Sequence, residues 1–468
     1  MSTDLSPAAV PTRSQRLDHL PFTRKHRRML AASGIGWALD AMDVGLISFV
    51  IAALAVHWGT SPTDGSLIAS AGFAGMAIGA SLGGLLADRL GRRNVFALTL
   101  LVYGLATGAS ALAGGVAVLV VLRFVVGLGL GAELPVASTL MSEFAPKRIR
   151  GRIIVWLEAF WALGWILAAV IGYFVVASGE NGWRWALLLG MVPAFYALVV
   201  RWGMPESVRF LEKKGRHQQA EEIVVSFEQA AADSGAGATS TASSAAAEEA
   251  STAESSAAES VSAAASTSAA ARATQGIWSP ALRARTAALW VVWFCINLSY
   301  YGAFIWIPSL LVDRGFTLTT SFSYTLIITL AQLPGYAVAA WLIEVIGRRW
   351  TLTIFLAGSA VSATAYGLAD STTMILVAGC ALSFFNLGAW GALYAIGPEL
   401  YPTAVRGTGT GAAAGFGRIA SLIAPFLVPA LIVLGGQFLA FGVFAAAFAL
   451  AALAAFTLPE KRGTALEE

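Results

Sequence analysis

Cysteine is nearly absent. The 468 residues include two, Cys295 and Cys380, each inside an apolar run, which excludes a disulfide framework and a thiolate metal cluster. The four histidines, His19, His26, His57 and His217, fall outside the interiors of the long apolar segments. A membrane metalloenzyme would therefore lack its ligands, and no metal site is expected. Charge is thin: 12% of the residues are Asp, Glu, Lys or Arg, against about 25% in soluble proteins. The 30 basic and 27 acidic residues leave a formal charge of +3, too small an excess to point to nucleic acid. No Gly-x-x-x-x-Gly-Lys phosphate loop occurs, which speaks against ATP-driven transport by this chain. Neither a cofactor nor an enzymatic activity is expected.

What the chain has in abundance is apolar surface, with 57% hydrophobic residues and 48 glycines and a mean hydropathy of +0.71. Such a chain cannot cover itself with polar groups and needs lipid as its solvent. A helix of about 20 mainly apolar residues crosses ~30 Å of hydrocarbon. Segments of that kind are read at 29–56, 66–87, 94–112, 116–140, 153–177 and 183–204, and again at 286–312, 321–343, 350–368, 373–397, 408–433 and 437–457. The expected organisation is a tail at 1–28, a six-helix half at 29–204, a linker at 205–285, a second six-helix half at 286–457 and a tail at 458–468. The first span is too long for a signal-peptide core, so no cleaved signal is expected. Within the linker, 229–275 is rich in Ala, Ser, Thr and Glu, and no aromatic residue falls between Phe227 and Trp278. That stretch reads as a disordered tether, with a regulated loop as the alternative.

Basic residues set the orientation. Six precede the first span (Arg13, Arg16, Arg24, Lys25, Arg27, Arg28), and the loops on the same side carry most of the rest, whereas the opposite loops hold Arg184 and Arg314 alone. Both termini and the linker are therefore expected to be cytoplasmic.

An internal repeat is the strongest feature. Asp88-Arg89-Leu90-Gly91-Arg92-Arg93 after the second span matches Glu344-Val345-Ile346-Gly347-Arg348-Arg349 after the eighth, 256 positions on. Glu143 with Arg150-Gly151 after the fourth span matches Glu399 with Arg406-Gly407 after the tenth at the same offset, and Pro205-Glu206 pairs with Pro459-Glu460. Matched motifs in register imply two parallel halves related by an axis along the membrane normal. The predicted fold class is an all-α membrane protein with twelve transmembrane helices in two pseudo-symmetric six-helix halves.

At these motifs the chain resembles the major facilitator superfamily, over all of its length except the tether and the first two dozen residues. Gly84-x-x-x-Asp88-Arg89-x-Gly91-Arg92-Arg93 is similar to that superfamily's signature loop, and Pro205-Glu206-Ser207-x-Arg209-Phe210-Leu211 to the end-of-half signature of its sugar porters. Leu39-Asp40-Ala41-Met42-Asp43, the stretch 123–135, Leu157-Glu158-Ala159-Phe160-Trp161-Ala162 and Asn297-x-x-Tyr300-Tyr301-Gly302 resemble the niacin-permease and synaptic-vesicle-protein-like branch. The paired Asp40 and Asp43 also resemble aromatic-acid proton symporters, while Glu344 stands where many relatives have Asp. The resemblance implies alternating access in a bacterial-type plasma membrane by a functional monomer. It also implies a cytoplasmic gate of Asp88, Arg92, Arg93, Glu143, Arg150, Glu344, Arg348, Glu399 and Arg406. Independently of it, a carboxylate at a helix end followed by a glycine turn and two arginines can form charge-assisted bonds that exist in one gate state only.

Charges inside spans are costly and usually mark a pathway. Asp40, Asp43, Arg123, Glu133 and Glu158 all lie in the first half, and their positions in the second half are neutral. Proton coupling through Asp40, Asp43, Glu133 and Glu158 is therefore expected in one half, with neutral recognition in the other. At 1.5 Å per residue Asp40 and Asp43 sit about 17 and 21 Å above the cytoplasmic end of the first span, between Glu133 at about 10 Å and Arg123 at about 25 Å on the fourth. Arg123 can then meet Asp43, and competition for it by an anion would couple substrate to proton; on that reading Arg123→Lys weakens anion binding. A fixed ion pair that only sets packing is the alternative.

Substrate contacts are expected from Arg123, Trp161, Asn297, Tyr300, Tyr301, Gln332, Asn386 and Trp390. Trp161 and Trp165 share a helix face with Glu158. For Arg418, in the eleventh span, a substrate-anion role and a snorkelling role fit equally. Glycines spaced by four at 75–83, 127–131 and 407–415 are expected to let helices approach closely. The expected function is secondary active transport with protons and a small molecule as partners, specifically proton-coupled uptake of an aromatic carboxylate such as nicotinate or benzoate. A sugar or polyol is the competing substrate class, and a non-transporting membrane receptor the competing kind of protein.

Overall fold

The structure is a computed structural model that describes residues 11–234 and 276–460. The Ala/Ser/Glu-rich stretch expected to be a tether lies, apart from its first few residues, outside the described residues. Regular structure among the described residues is helical throughout, and each expected span is present. The first five are Arg24–Trp58, Pro62–Leu90, Arg92–Ser110, Val116–Phe144 and Arg150–Phe174. The sixth is broken into Gly182–Leu189 and Val192–Gly203. In the second half the seventh is Arg283–Asp313, the eighth is broken into Leu318–Leu330 and Gln332–Ile346, and the ninth and tenth are Arg348–Gly367 and Thr372–Ile396. The eleventh and twelfth form one segment, Thr403–Phe456, whose helical geometry fails at Gly435 and Gly436. Gly436 has φ +64° and ψ −166°, a conformation that essentially only glycine adopts.

Helix ends follow local chemistry. The first span stops at Gly59, with φ +62°, and Ser61 opens the second with a reciprocal cap. Its hydroxyl accepts the Asp64 N–H at 3.2 Å, and the Asp64 carboxylate accepts the Ser61 N–H at 2.9 Å, with Pro62 at the first helical position.

The two halves pack by the same rule. The first span lies on the fifth, the second on the fourth, and the third on the fourth and sixth; the eighth lies on the tenth, and the seventh and ninth lie on the eleventh–twelfth segment. Small residues permit the tightest of these contacts. A Cβ on Gly75 would lie 2.9 Å from the Gly127 Cα, and one on Gly79 would stand 2.9 Å from the Leu128 carbonyl carbon. The glycine stripe at 407, 411 and 415 corrects the expectation of close approach: among the described residues nothing lies within 4 Å of a Cβ built at any of the three, because that face of the eleventh span borders open space. Gly79→Leu should therefore prevent recovery of monodisperse protein from detergent extracts, since overpacking against backbone has no flexible neighbour to yield. Gly84→Leu, where a Cβ meets nothing within 4 Å among the described residues, should be recovered at wild-type yield.

Before the first span a short helix, Arg13–His19, docks on His217–Ala232, which follows the sixth span and the short helix Val208–Lys213. Arg13 reaches Glu221 at 2.7 Å and Glu212 at 3.1 Å, and Arg16 reaches Glu221 at 2.5 Å and Glu228 at 2.7 Å. Hydrogen bonds from Arg16 and then Arg13 hold the Glu221 carboxyl below its ordinary range. These groups remain a quarter or more exposed, so the network orients the arm more than it stabilises the fold.

Candidate functional site

Hydrogen bonds and ring pairs that join the halves run from mid-depth to the end of the bundle remote from the chain termini. Ser66 Oγ donates to the Pro425 carbonyl at 2.8 Å and Ser70 Oγ to that of Leu422 at 3.0 Å. Phe49 meets Phe322 edge-on with centroids 5.1 Å apart, and Phe73 lies 4.6 Å from Tyr301. Trp161 Nε1–H donates to the Tyr300 hydroxyl at 3.3 Å.

At the end bearing the termini the expected gate residues pair within their own halves. Arg92 lies 3.3 Å from Asp88 and 3.5 Å from Glu143, and Arg348 lies 3.2 Å from Glu399. Arg150 donates to the Ala145 carbonyl at 3.0 Å and Arg406 to that of Tyr401 at 3.3 Å, again 256 positions apart. Arg150 also pairs with Asp18 of the amino-terminal arm, a partner the repeat does not predict. Glu344 is exposed and has no basic group within 4.0 Å among the described residues.

Two carboxylates outside the expected set tie these corners together. Glu206 accepts the Arg93 N–H at 3.1 Å while the Arg93 guanidinium donates to the Met204 carbonyl at 3.4 Å. Glu460 and Arg349 repeat this arrangement, at 3.1 Å and at 3.4 Å to Leu458. A carboxylate at the start of a helix satisfies orphan amides and the helix dipole at once. Gly91 and Gly347, at φ +97° and +93°, turn the chain there, and a Cβ at Gly347 would stand 2.6 Å from the Glu460 carboxyl. The repeated Pro-Glu dipeptide was the signal that could have marked both glutamates.

Deeper in the first half, Arg123 Nη1 lies 2.9 Å from Asp43 Oδ2, with side chains 4% and 0% exposed. Thr107 donates its hydroxyl to the other Asp43 oxygen at 2.6 Å. Asp40 and Glu133 are neighbours, with Tyr103 beside Asp40 and Thr99 beside Glu133. All of these are buried, and neither Asp40 oxygen nor either Glu133 oxygen has a well-formed hydrogen bond. The structure therefore makes two polar groups of these residues: an ion pair, and a carboxylate pair beside it.

Neither group lines the space between the halves. That space receives Trp37, Leu134, Glu158 and Trp161 from the first half. The seventh span supplies Trp293, Asn297, Tyr300 and Tyr301. Tyr336 of the eighth span, Trp390 and Tyr394 of the tenth, and Arg418 of the eleventh complete it. Its aromatic walls suit the flat face of a small organic molecule. Of the expected substrate contacts, Trp161, Asn297, Tyr300, Tyr301 and Trp390 meet here. Arg123, Gln332 and Asn386 do not: Arg123 is held by Asp43, and the other two are fully buried within the second half with side-chain amides unpaired.

Asn297 is largely spent within the protein, since its amide donates to the Trp293 carbonyl at 2.7 Å and accepts from Ser421 at 2.9 Å. Arg418 is half-buried. Its guanidinium lies 3.8 Å from the Met76 sulfur, Tyr301 is beside it, and no carboxylate of a described residue comes within 4.0 Å. Among the described residues the cavity thus has much ring surface, one cation, one acid and few free amides. Among the described residues no cluster of three or more His, Cys, Asp or Glu could hold a metal.

The family described as "Sugar (and other) transporter" matches residues 29–468. The putative niacin/nicotinamide transporter NiaP of Bacillus subtilis (strain 168) is 44% identical over 429 residues, which cover 92% of this chain and 94% of that protein. The niacin transporter NiaP of Acinetobacter baylyi is 44% identical over 418 residues, covering 89% and 90%. The xylose transporter XylE from E. coli, in a partially occluded inward open conformation, superposes with a TM-score of 0.72 at 18% identity over 94% of this chain and 99% of that one. At that identity the likeness is one of fold.

Proposed function

Because the chain belongs to the sugar (and other) transporter family of the major facilitator superfamily, and is thus a multi-span membrane transporter and no enzyme, we propose that it carries a small aromatic carboxylate, nicotinate foremost, by proton-coupled alternating access. The observation that carries this reading is Arg418: a guanidinium with no carboxylate partner among the described residues, set in an aromatic cavity between the halves. A planar anion offers such a site both things it lacks, a charge for the fork and a ring for the walls. A sugar needs a ring of free donors and acceptors, and Asn297 is already engaged. The names of the two 44% identical relatives point the same way.

The anion-clamp role expected of Arg123 passes to Arg418, and Arg123 with Asp43 belongs to the coupling machinery. The neighbouring Asp40 and Glu133 complete that machinery, because two adjacent carboxylates away from water are relieved by holding one proton between them. With basic residues concentrated at the end bearing the termini, that end faces the cytoplasm of a plasma-membrane protein acting as a monomer. The cavity is then closed outward by the Ser66 and Ser70 contacts and directed inward. The paired residues at the inner corners hold each half rigid in this state and exchange partners across the halves when the inner side closes.

A thermal-shift screen of the purified protein tests the substrate class. Nicotinate and benzoate should raise the melting temperature, since a ligand at 100 times its Kd adds about 2.7 kcal/mol, and xylose should not. A shift with xylose and none with either acid reverses the assignment. Saturable counterflow of nicotinate in proteoliposomes separates a transporter from a receptor, which would bind without flux.

A further inference from the structure

Two side chains of opposite charge line the cavity, Glu158 on the fifth span and Arg418 on the eleventh, and they do not pair. No basic nitrogen lies within 4.0 Å of Glu158 among the described residues, and none of them hydrogen-bonds its carboxyl. The residue is 5% exposed and close enough to Arg418 to feel its charge. A nearly buried carboxyl beside an arginine ordinarily closes onto it, because an unpaired buried charge is expensive. Here the two are held apart with aromatic rings around the gap. Trp161 stands one helical turn from Glu158, fixed by its bond to the Tyr300 hydroxyl. Tyr336 and Tyr394 flank the same space. A gap bounded by an acid, a base and rings matches a flat molecule that is anionic at one edge and basic at another.

We propose that Glu158 is the specificity residue of this cavity, hydrogen-bonding the ring nitrogen of a pyridine carboxylate whose carboxylate is held by Arg418. The proposal rests on the anion-binding reading of Arg418 and adds to it a second pole. A single proton serves the contact: a protonated ring donates N–H to the carboxylate, or a protonated Glu158 donates O–H to the ring nitrogen, and no covalent bond changes. Benzoate, with C–H at that position, leaves Glu158 facing the ring edge without a partner. A site built around a hydrogen bond rejects the analogue that lacks it far more strongly than it rejects a small change in size.

Equilibrium binding of nicotinate and benzoate to the purified wild-type protein and to Glu158→Leu tests the assignment. Wild type should bind nicotinate about 10- to 100-fold more tightly than benzoate, the range expected of one charge-assisted hydrogen bond. Glu158→Leu should bring nicotinate to the level of benzoate while leaving benzoate within about threefold of wild type. Parity of the two acids on wild type, or a parallel loss of both in the variant, overturns the proposal. Glu158→Met repeats the test if the leucine variant is not recovered folded, and the wild-type ratio decides by itself if neither is. Failure of the underlying reading looks different: neither acid binds wild type, or benzoate affinity is unchanged in Arg418→Gln.

Discussion

Arg418→Gln should lower nicotinate affinity about 100-fold and reduce uptake at micromolar substrate to background. The arginine is the one cation lining the cavity among the described residues, so glutamine leaves a bound carboxylate with a neutral partner. A charge-assisted hydrogen bond contributes about 1.5–3 kcal/mol, and the upper part of that range corresponds to ~100-fold. Arg418→Lys should fall between, near tenfold, because the charge persists while the planar fork is lost. Binding by isothermal titration is the direct measurement. Wild-type affinity in Arg418→Gln would remove the anion clamp from the cavity and return the sugar reading to first place. The same substitution should leave the melting temperature of the ligand-free protein nearly unchanged, since Arg418 holds no ion pair among the described residues.

Asp43→Asn should abolish accumulation of substrate driven by a pH gradient, bringing the internal-to-external ratio to about one, while counterflow exchange continues. Asparagine keeps the shape and can still accept from Thr107, but it neither carries a proton nor balances Arg123. The structural cost is separable from the transport effect. Removing one member of a buried pair leaves an uncompensated charge and costs about 3–5 kcal/mol, whereas neutralising both is often close to neutral. Asp43→Asn combined with Arg123→Gln should therefore regain thermal stability without regaining accumulation. Proton-driven accumulation at the wild-type level in the single variant would exclude Asp43 from coupling. A stability deficit that persists in the double variant would show that the pair matters through packing alone.

The twelve spans and their duplication were legible because each is a one-dimensional signal: apolar length, and motifs at a fixed offset. The contact between Arg123 and Asp43 was legible for a related reason, since rise per residue converts position into depth. Depth is not azimuth. Arg123 stands at a suitable height for a substrate yet points into the first half toward Asp43 and Thr107, and nothing in residue spacing separates those outcomes. Arg418 was undecided in sequence because an arginine in a span either snorkels to the interface or lines an internal space, and spacing alone does not show that it borders the cavity. Tyr336, Tyr394, Trp293 and Trp37 carried a faint signal: Trp293 precedes Asn297 by four and Tyr300 by seven, and Trp390 precedes Tyr394 by four, each a single helix face. The gate motifs showed where the charges recur but neither which of them pair nor across which gap. Arg92 with Glu143 is a contact inside one half, and the amino-terminal arm that takes up Arg150 through Asp18 has no repeat to betray it.

The hydroxyl of Ser66 on the second span faces the carbonyl of Pro425 on the eleventh. In a regular helix the carbonyl of residue 425 accepts the amide of residue 429, but 429 is proline and has no amide hydrogen. The second span fills the gap left in the eleventh, so the seam between the halves closes over an acceptor that its own helix cannot satisfy. Parting the seam leaves that oxygen bare until solvent reaches it, so outward opening should require water at this carbonyl. The balance between the two faces of the transporter should accordingly follow water activity: excluded solutes such as sucrose hold the seam shut, and hydration releases it.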